Sequence, residues 1–250
     1  MSFDSIRKCL PAVLMLTVLE VSGVNAADWR PPQITSQPGQ QVFVFSGTDF
    51  NSFNSRFGFV GTTIAPWGLD TTGFRAGGFS GLGSYTYQTN DGTKGGGKFV
   101  TTDAMIGWAV ASANSNTKLM VGANFQDHKL DSPDPTNPVQ GAKTGFKGQI
   151  DTYINPTPST MLFGLASYST AFQTYFTEAK AGIALSDDKG VFVGPQFIAL
   201  GNARFDQWRV GLHLTGVRFG YLEIDLAGGF LRDSGSGNGA YGTIGGSFRF

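Results

Sequence analysis

Tyr241-Gly-Thr-Ile-Gly-Gly-Ser-Phe-Arg-Phe250 ends the chain, and its side chains sort by parity. Successive strand residues point to opposite sides. Ile244, Phe248 and Phe250 therefore share one face with Gly242 and Gly246, while Tyr241, Thr243, Ser247 and Arg249 share the other. This two-residue period predicts a strand that is apolar on one side and polar on the other. The same alternation recurs upstream. In Trp208 to Thr215 the apolar set is Trp208, Val210, Leu212 and Leu214, against Arg209, Gly211, His213 and Thr215. The segment after it sets Leu222, Ile224, Leu226 and Phe230 against Glu223 and Asp225.

A strand of this kind closing on an aromatic residue resembles the last strand of bacterial outer-membrane β-barrels. That resemblance implies an assembly signal formed by Ile244, Phe248 and Phe250, recognised by the barrel assembly machinery. The N-terminus agrees with this address. Arg7 and Lys8 precede a mostly apolar run from Leu10 to Leu19, and Val24-Asn25-Ala26 supplies small residues for cleavage, so 1–26 is expected to be a secretory signal. The apolar run is well short of the roughly 20 residues of a membrane-spanning helix. Cys9 lies inside the signal, so the mature chain holds no cysteine and must be stabilised by burial, lipid contact or sheet closure.

Composition supports a barrel. There are 36 Gly and 22 Phe, charged residues make up 14%, and the 18 basic residues balance the 18 acidic ones. Mean hydropathy is near zero, as expected when an apolar face and a wet face average out. A balanced charge excludes the basic footprint of a nucleic-acid binder.

Residues 27–40, with Trp29-Arg-Pro-Pro-Gln33, show no periodicity and are expected to form a periplasmic tail before a barrel over 41–250. The predicted fold is all-β, an antiparallel transmembrane barrel of about 12 strands with both termini periplasmic. Segments are expected near 41–50, 55–65, 71–88, 97–111, 117–130, 139–155, 158–168, 172–185, 190–200, 204–216, 220–231 and 240–250. On this scheme the connections 66–70, 112–116, 155–158, 186–189 and 216–220 share the periplasmic side. The long polar ones, 89–96, 131–138 and 232–239, share the other, where outer-membrane barrels carry longer loops.

Parity then names an interior. Lys147, Gln149, Asp151 and Tyr153 alternate with Thr144, Phe146 and Ile150, while Glu178 and Lys180 alternate with Tyr175, Ala179, Ala181 and Ile183. With Arg209, His213, Glu223, Asp225 and Tyr241 these are the expected lumen-lining residues, and Glu223 and Asp225, on the strand next to Arg209, are its expected counter-charges. Phe53, Phe57, Tyr85, Tyr87, Trp108, Tyr168, Phe172, Phe205, Trp208, Phe219 and Tyr221 lie near strand ends and are expected to form interfacial girdles. Two uses of the charged interior stay open: a satisfied polar network that holds a narrow barrel together, or a hydrophilic path for a polar solute.

Nothing in the sequence predicts catalysis. A lipid-modifying enzyme needs a Ser nucleophile beside a His base. His213 falls on the interior face, and His128, in Phe125-Gln-Asp-His-Lys-Leu-Asp-Ser132, has Ser132 only across the start of a loop. No mature cysteine or spaced His pair is present for zinc, and the prolines between Asp131 and Asp134 favour a stiff turn over calcium. No cofactor or metal is expected.

Asn155-Pro-Thr-Pro-Ser-Thr-Met-Leu-Phe163, Ser167-Tyr-Ser-Thr-Ala-Phe172 and above all Val193-Gly-Pro-Gln-Phe-Ile-Ala-Leu-Gly-Asn-Ala-Arg-Phe-Asp-Gln-Trp-Arg-Val-Gly-Leu-His-Leu-Thr-Gly216 resemble the cellulose biosynthesis protein BcsS family. The similarity continues through Gly122 to His128 and Val139 to Phe146, and so covers most of the chain after about Phe99. It implies an accessory of bacterial cellulose (exopolysaccharide) production that assists export or surface deposition of the glucan. Outer-membrane lipid, cellulose synthase complex components and the glucan itself are the implied partners. It carries no catalytic motif. The glucan would hydrogen-bond to lumenal carboxylates, amides and Arg209 and stack on Tyr153 or Tyr241. A general small-solute pore and a lipid-modifying enzyme are the alternatives.

Overall fold

The computed structural model describes residues 39–89, 92–185 and 190–250. The expected signal segment 1–26, nearly all of the 27–40 tail and the 186–189 connection lie outside the described residues.

Twelve antiparallel strands close into one barrel in chain order. They are β1 (Val42–Asn51), β2 (Arg56–Ile64), β3 (Gly73–Gln88), β4 (Lys94–Ala111), β5 (Ser115–Leu130), β6 (Gly141–Thr157), β7 (Thr160–Ser169), β8 (Thr174–Ala184), β9 (Phe192–Gly201), β10 (Asp206–Phe219), β11 (Leu222–Asp233) and β12 (Gly237–Arg249). Each bound lies within a few residues of the segment expected from alternation. The C-terminal strand makes the seam: β12 pairs with β1, Phe43 opposite Arg249 and Asn51 opposite Tyr241. Phe250 completes it, its N–H donating to the Val42 carbonyl at 2.9 Å while its own carbonyl accepts from Val42 N–H at 3.0 Å. Closure leaves no unpaired sheet edge.

The outer face is apolar around the ring. Ile106, Phe146, Ile183 and Leu212 are 57%, 60%, 64% and 64% exposed. A continuous apolar surface of this extent marks contact with a membrane rather than with water. At the end that holds both described chain termini, Trp67 packs edge-on against Trp108 with ring centroids 5.8 Å apart, and Phe219 and Tyr221 are exposed. At the far end Trp208 leans on Phe230, centroids 5.6 Å apart, and Tyr168 is exposed.

Five expected girdle residues are not on this face, among them Phe53, which packs against the interior cluster of Ile198, Leu231 and Tyr241. Directly opposed residues on paired strands point to the same side, and Phe57 lies opposite Asp49 and Gly83, so Phe57 turns inward. Tyr85 and Tyr87 share the inward parity of Arg75, which is buried, and Phe172 is only 5% exposed.

The expected loop lengths also need correction. The expected 232–239 loop is a short turn over 234–236, because Leu231 to Asp233 and Gly237 to Gly239 remain in the ladder. Asp233 holds it by accepting the N–H groups of Gly235 (2.9 Å) and Ser236 (2.8 Å). At the opposite end, the β2–β3 connection spans 65–72. A bulge between Leu214 and Val217 shifts the β10 register. Gly216 permits it with a φ of 87°.

Candidate functional site: a two-sided barrel interior

Long-range side-chain bonds between non-adjacent strands define the interior. Arg209 on β10 holds Asp49 on β1 through both guanidinium arms, at 2.6 and 3.1 Å. Its Nε donates to Gln207 at 2.7 Å, and its plane covers the Tyr241 ring at 5.0 Å. Thr243 donates to Asp49 at 3.0 Å. The Tyr241 hydroxyl donates to Gln196 on β9 at 3.1 Å. Gln196 in turn donates to Glu178 on β8, and Glu178 pairs with Lys180 at 3.0 Å. One polar web thus crosses from β1 to β8, with each charge facing an opposite one, the condition for keeping charges out of bulk water.

The expected counter-charges of Arg209 are otherwise engaged. Glu223 pairs with Arg218 at 3.1 Å, and the Asp225 carboxylate accepts the N–H of Gly216 at 3.0 Å, stitching the bulge. Arg209 takes Asp49 instead because closure brings β1 within reach, a proximity that strand neighbours in sequence do not reveal. His213 is buried, its ring nitrogens 3.0 Å from the Ala181 carbonyl and 3.0 Å from the Thr215 hydroxyl.

A second web lies on β4 to β8. Lys147 pairs with Asp103, Lys118 with Asp151 at 3.5 Å, and Gln149 donates to Asp151 at 3.1 Å. Asn155 lies 3.5 Å from the Tyr153 hydroxyl. Asn124, buried, accepts from Gln126 and Ser169, each at 2.7 Å. Tyr241, only 6% exposed and covered by Arg209, offers no open face to a solute.

The other side of the interior is aromatic. Phe43, Phe45, Phe57, Phe59, Phe79, Phe99, Tyr85 and Tyr87 run in a connected stripe along β1 to β4. His128 continues it, stacked on Phe99 at 5.3 Å with an interplanar angle of 10°. Its ring nitrogens lie 3.3 Å from the Tyr85 hydroxyl and 3.2 Å from Gln126 Oε1. Neither is free for Ser132, which is exposed in the loop beyond.

Turns narrow the far mouth. Phe172, held at a φ of 52°, packs edge-on against His128 at 5.0 Å, and its carbonyl accepts Ala203 N–H at 2.9 Å. Arg204, in the turn after β9, donates to the Gln88 carbonyl at the end of β3, 3.0 Å away. β3 and β9 are six steps apart around the ring, so this contact crosses the mouth.

A family model described as cellulose biosynthesis protein BcsS matches residues 43–250, which extends the resemblance from about Phe99 back through the first strands. Nothing among curated proteins matches the chain. Among solved structures the chain is similar to the KdgM porin, with a TM-score of 0.46 and 7% identity over 83% of this chain and 99% of that one. It is also similar to the translocator domain of autotransporter NalP from Neisseria meningitidis, with a TM-score of 0.46 and 12% identity over 99% of this chain and 95% of that one. For the β domain of the Bordetella autotransporter BrkA the TM-score is 0.44, with 11% identity over 84% and 98%.

Proposed function

Because the chain belongs to the cellulose biosynthesis protein BcsS family, we propose that it is an outer-membrane accessory of bacterial cellulose production, assisting export or surface deposition of the glucan without enzymatic activity of its own. The family match carries this reading, and the architecture fits it. The apolar outer wall suits a lipid bilayer, and the interior offers neutral rings and hydrogen-bonding groups but no base free to activate a nucleophile among the described histidines. On this reading residues 1–26 are removed after secretion and both termini face the periplasm. The barrel assembly machinery inserts the chain through the Ile244, Phe248 and Phe250 face, and components of the cellulose synthase complex deliver the polymer to the periplasmic mouth. Lys147, Gln149, Asp151, Tyr153, Glu178 and Lys180 belong to the polar wall past which the glucan moves. Removing the gene is expected to lower extracellular cellulose severalfold, with recovery on complementation. An unchanged cellulose yield would overturn the proposal.

A further inference from the structure

Glycines underlie the aromatic stripe in a pattern of their own. A Cβ on Gly61 would strike the Phe45 ring, and one on Gly81 or Gly83 would come 2.5 Å from the ring of Phe57 or Phe99 respectively. The same holds for Gly47 under Phe59 at 2.6 Å, Gly95 under Tyr87 at 2.7 Å and Gly97 under Tyr85 at 2.8 Å. Each ring therefore lies across a bare stretch of backbone on the adjoining strand, a place that any larger residue would fill. A ring held flat in such a place would turn a face rather than an edge toward the barrel axis. Phe57 and Phe99 meet this description together, nearly parallel at 12° with centroids 5.4 Å apart.

The rings are also evenly spaced. Through the paired registers the eight rings stand on six levels, Phe45 beside Phe79 and Phe57 beside Phe99, and successive levels are two strand residues, or about 6.6 Å, apart, comparable to one sugar unit in a glucan chain. Through the paired registers Phe43 stands level with Gly77 of β3. From there to Tyr87 is ten strand residues, or about 33 Å of contour at about 3.3 Å per residue. That matches the roughly 30 Å thickness of a bilayer's hydrocarbon core before strand tilt is allowed for. A stripe serving only to fill the barrel would be expected to bury its rings. Phe172, against His128, is buried, but the aromatic residues of the stripe on β1 to β4 are only half-buried.

We propose that this stripe is a stacking track for a single β-linked glucan chain passing through the barrel, an inference that rests on the cellulose reading above. A glucose unit in such a chain carries its hydroxyls around the rim and its C–H bonds on the two flat faces. The faces suit uncharged aromatic surface, which gains area burial and the attraction of C–H groups to the ring's negative face. The rim suits the donors and acceptors of the opposite wall. Lys147 and Arg249 lie over Phe79 and Phe43 at 5.6 Å each, and a glucan on the track would take the place of these cations. Because each level of rings is followed by another at the same interval, a chain advancing by one unit exchanges one stack for an equivalent one, so it is held without being trapped.

The test is calorimetric titration of the purified full barrel in detergent with cellohexaose, and with maltohexaose as the α-linked control. Folding of every variant is checked by heat-modifiable gel mobility. The wild type is expected to bind cellohexaose in preference to maltohexaose. The double variant Phe57→Leu, Phe99→Leu keeps apolar volume but loses two ring faces, and it should bind at least about tenfold more weakly, the consequence of losing roughly one favourable stack's worth of binding free energy. The Phe57→Tyr, Phe99→Tyr variant keeps the faces and should bind like the wild type, which separates stacking from general disturbance of the wall. If the leucine pair does not fold, Phe59→Leu alone is measured, with a loss of about threefold expected. Absence of cellohexaose binding by the wild type, equal binding by a folded leucine variant, or equal binding of maltohexaose would overturn the track. None of these results bears on the gene-deletion test. An unchanged cellulose yield beside intact, ring-dependent cellohexaose binding would instead remove the biological reading and leave the track standing.

Discussion

Replacing Asp49 with alanine is expected to destabilise the barrel by about 3 to 5 kcal/mol, because it leaves a buried guanidinium without its counter-charge. The Arg209 side chain is 6% exposed and Asp49 19%, so water does little to compensate the loss. Gln207 and the Tyr241 ring remain beside Arg209, but neither carries a negative charge. Glu223→Ala is the matched control. Its partner Arg218 is 30% exposed, and an ion pair with this access to water contributes only about 0 to 1 kcal/mol. Urea unfolding in detergent, followed by tryptophan fluorescence, measures both. A loss below about 1 kcal/mol for Asp49→Ala would mean that the Arg209 site is hydrated rather than closed.

Ile244→Lys is expected to cut the outer-membrane yield sharply, and deletion of Phe250 to do the same by a different route. Ile244 is outward-facing and 47% exposed, and it pairs with Thr48 on β1 and Leu226 on β11 near the middle of the wall. A lysine on the lipid face there costs about 2 to 4 kcal/mol. Phe250 lies at the edge of the apolar band, where charge costs less, but its backbone forms the last two bonds of the seam with Val42. Its removal loosens closure and removes the terminal aromatic of the proposed assembly signal. Immunoblots of membrane fractions measure both variants against the wild type. Normal yield of either would contradict the corresponding mechanism.

The strands are legible in the sequence because the barrel separates two solvents. Lipid outside and polar groups inside impose a two-residue period on β10, β11 and β12, and that period alone is enough to place Leu212 and Arg209 on opposite faces. The aromatic stripe is illegible for the same reason. Phe57, Tyr85 and Phe172 are as apolar as lipid-facing residues, so their chemistry matches either face, and their position near strand ends suggests a girdle. Parity contains a clue in β3, where Phe79, Tyr85 and Tyr87 share odd positions with Gly73, Gly77, Gly81 and Gly83 while Phe74 and Leu82 hold the even ones. That six of the eight rings rest on a glycine emerges only from the register between strands. The partner of Arg209 is hidden more deeply still, since Asp49 lies 160 residues away in sequence and is brought near only when β12 closes on β1. The short β11–β12 turn passes for a loop in sequence because Gly235, Gly237 and Gly239 suit a turn and a strand equally well.

Whether the interior conducts a glucan is decided by single-channel recording in planar lipid bilayers. The wild-type barrel is compared with Arg204→Ala, which removes the contact that crosses the mouth to Gln88. Arg204→Ala is expected to conduct ions more readily than the wild type, and cellohexaose is expected to block its current reversibly while maltohexaose at the same concentration blocks it far less. A variant that stays silent, or one whose current ignores cellohexaose, would rule out passage of the glucan through this barrel.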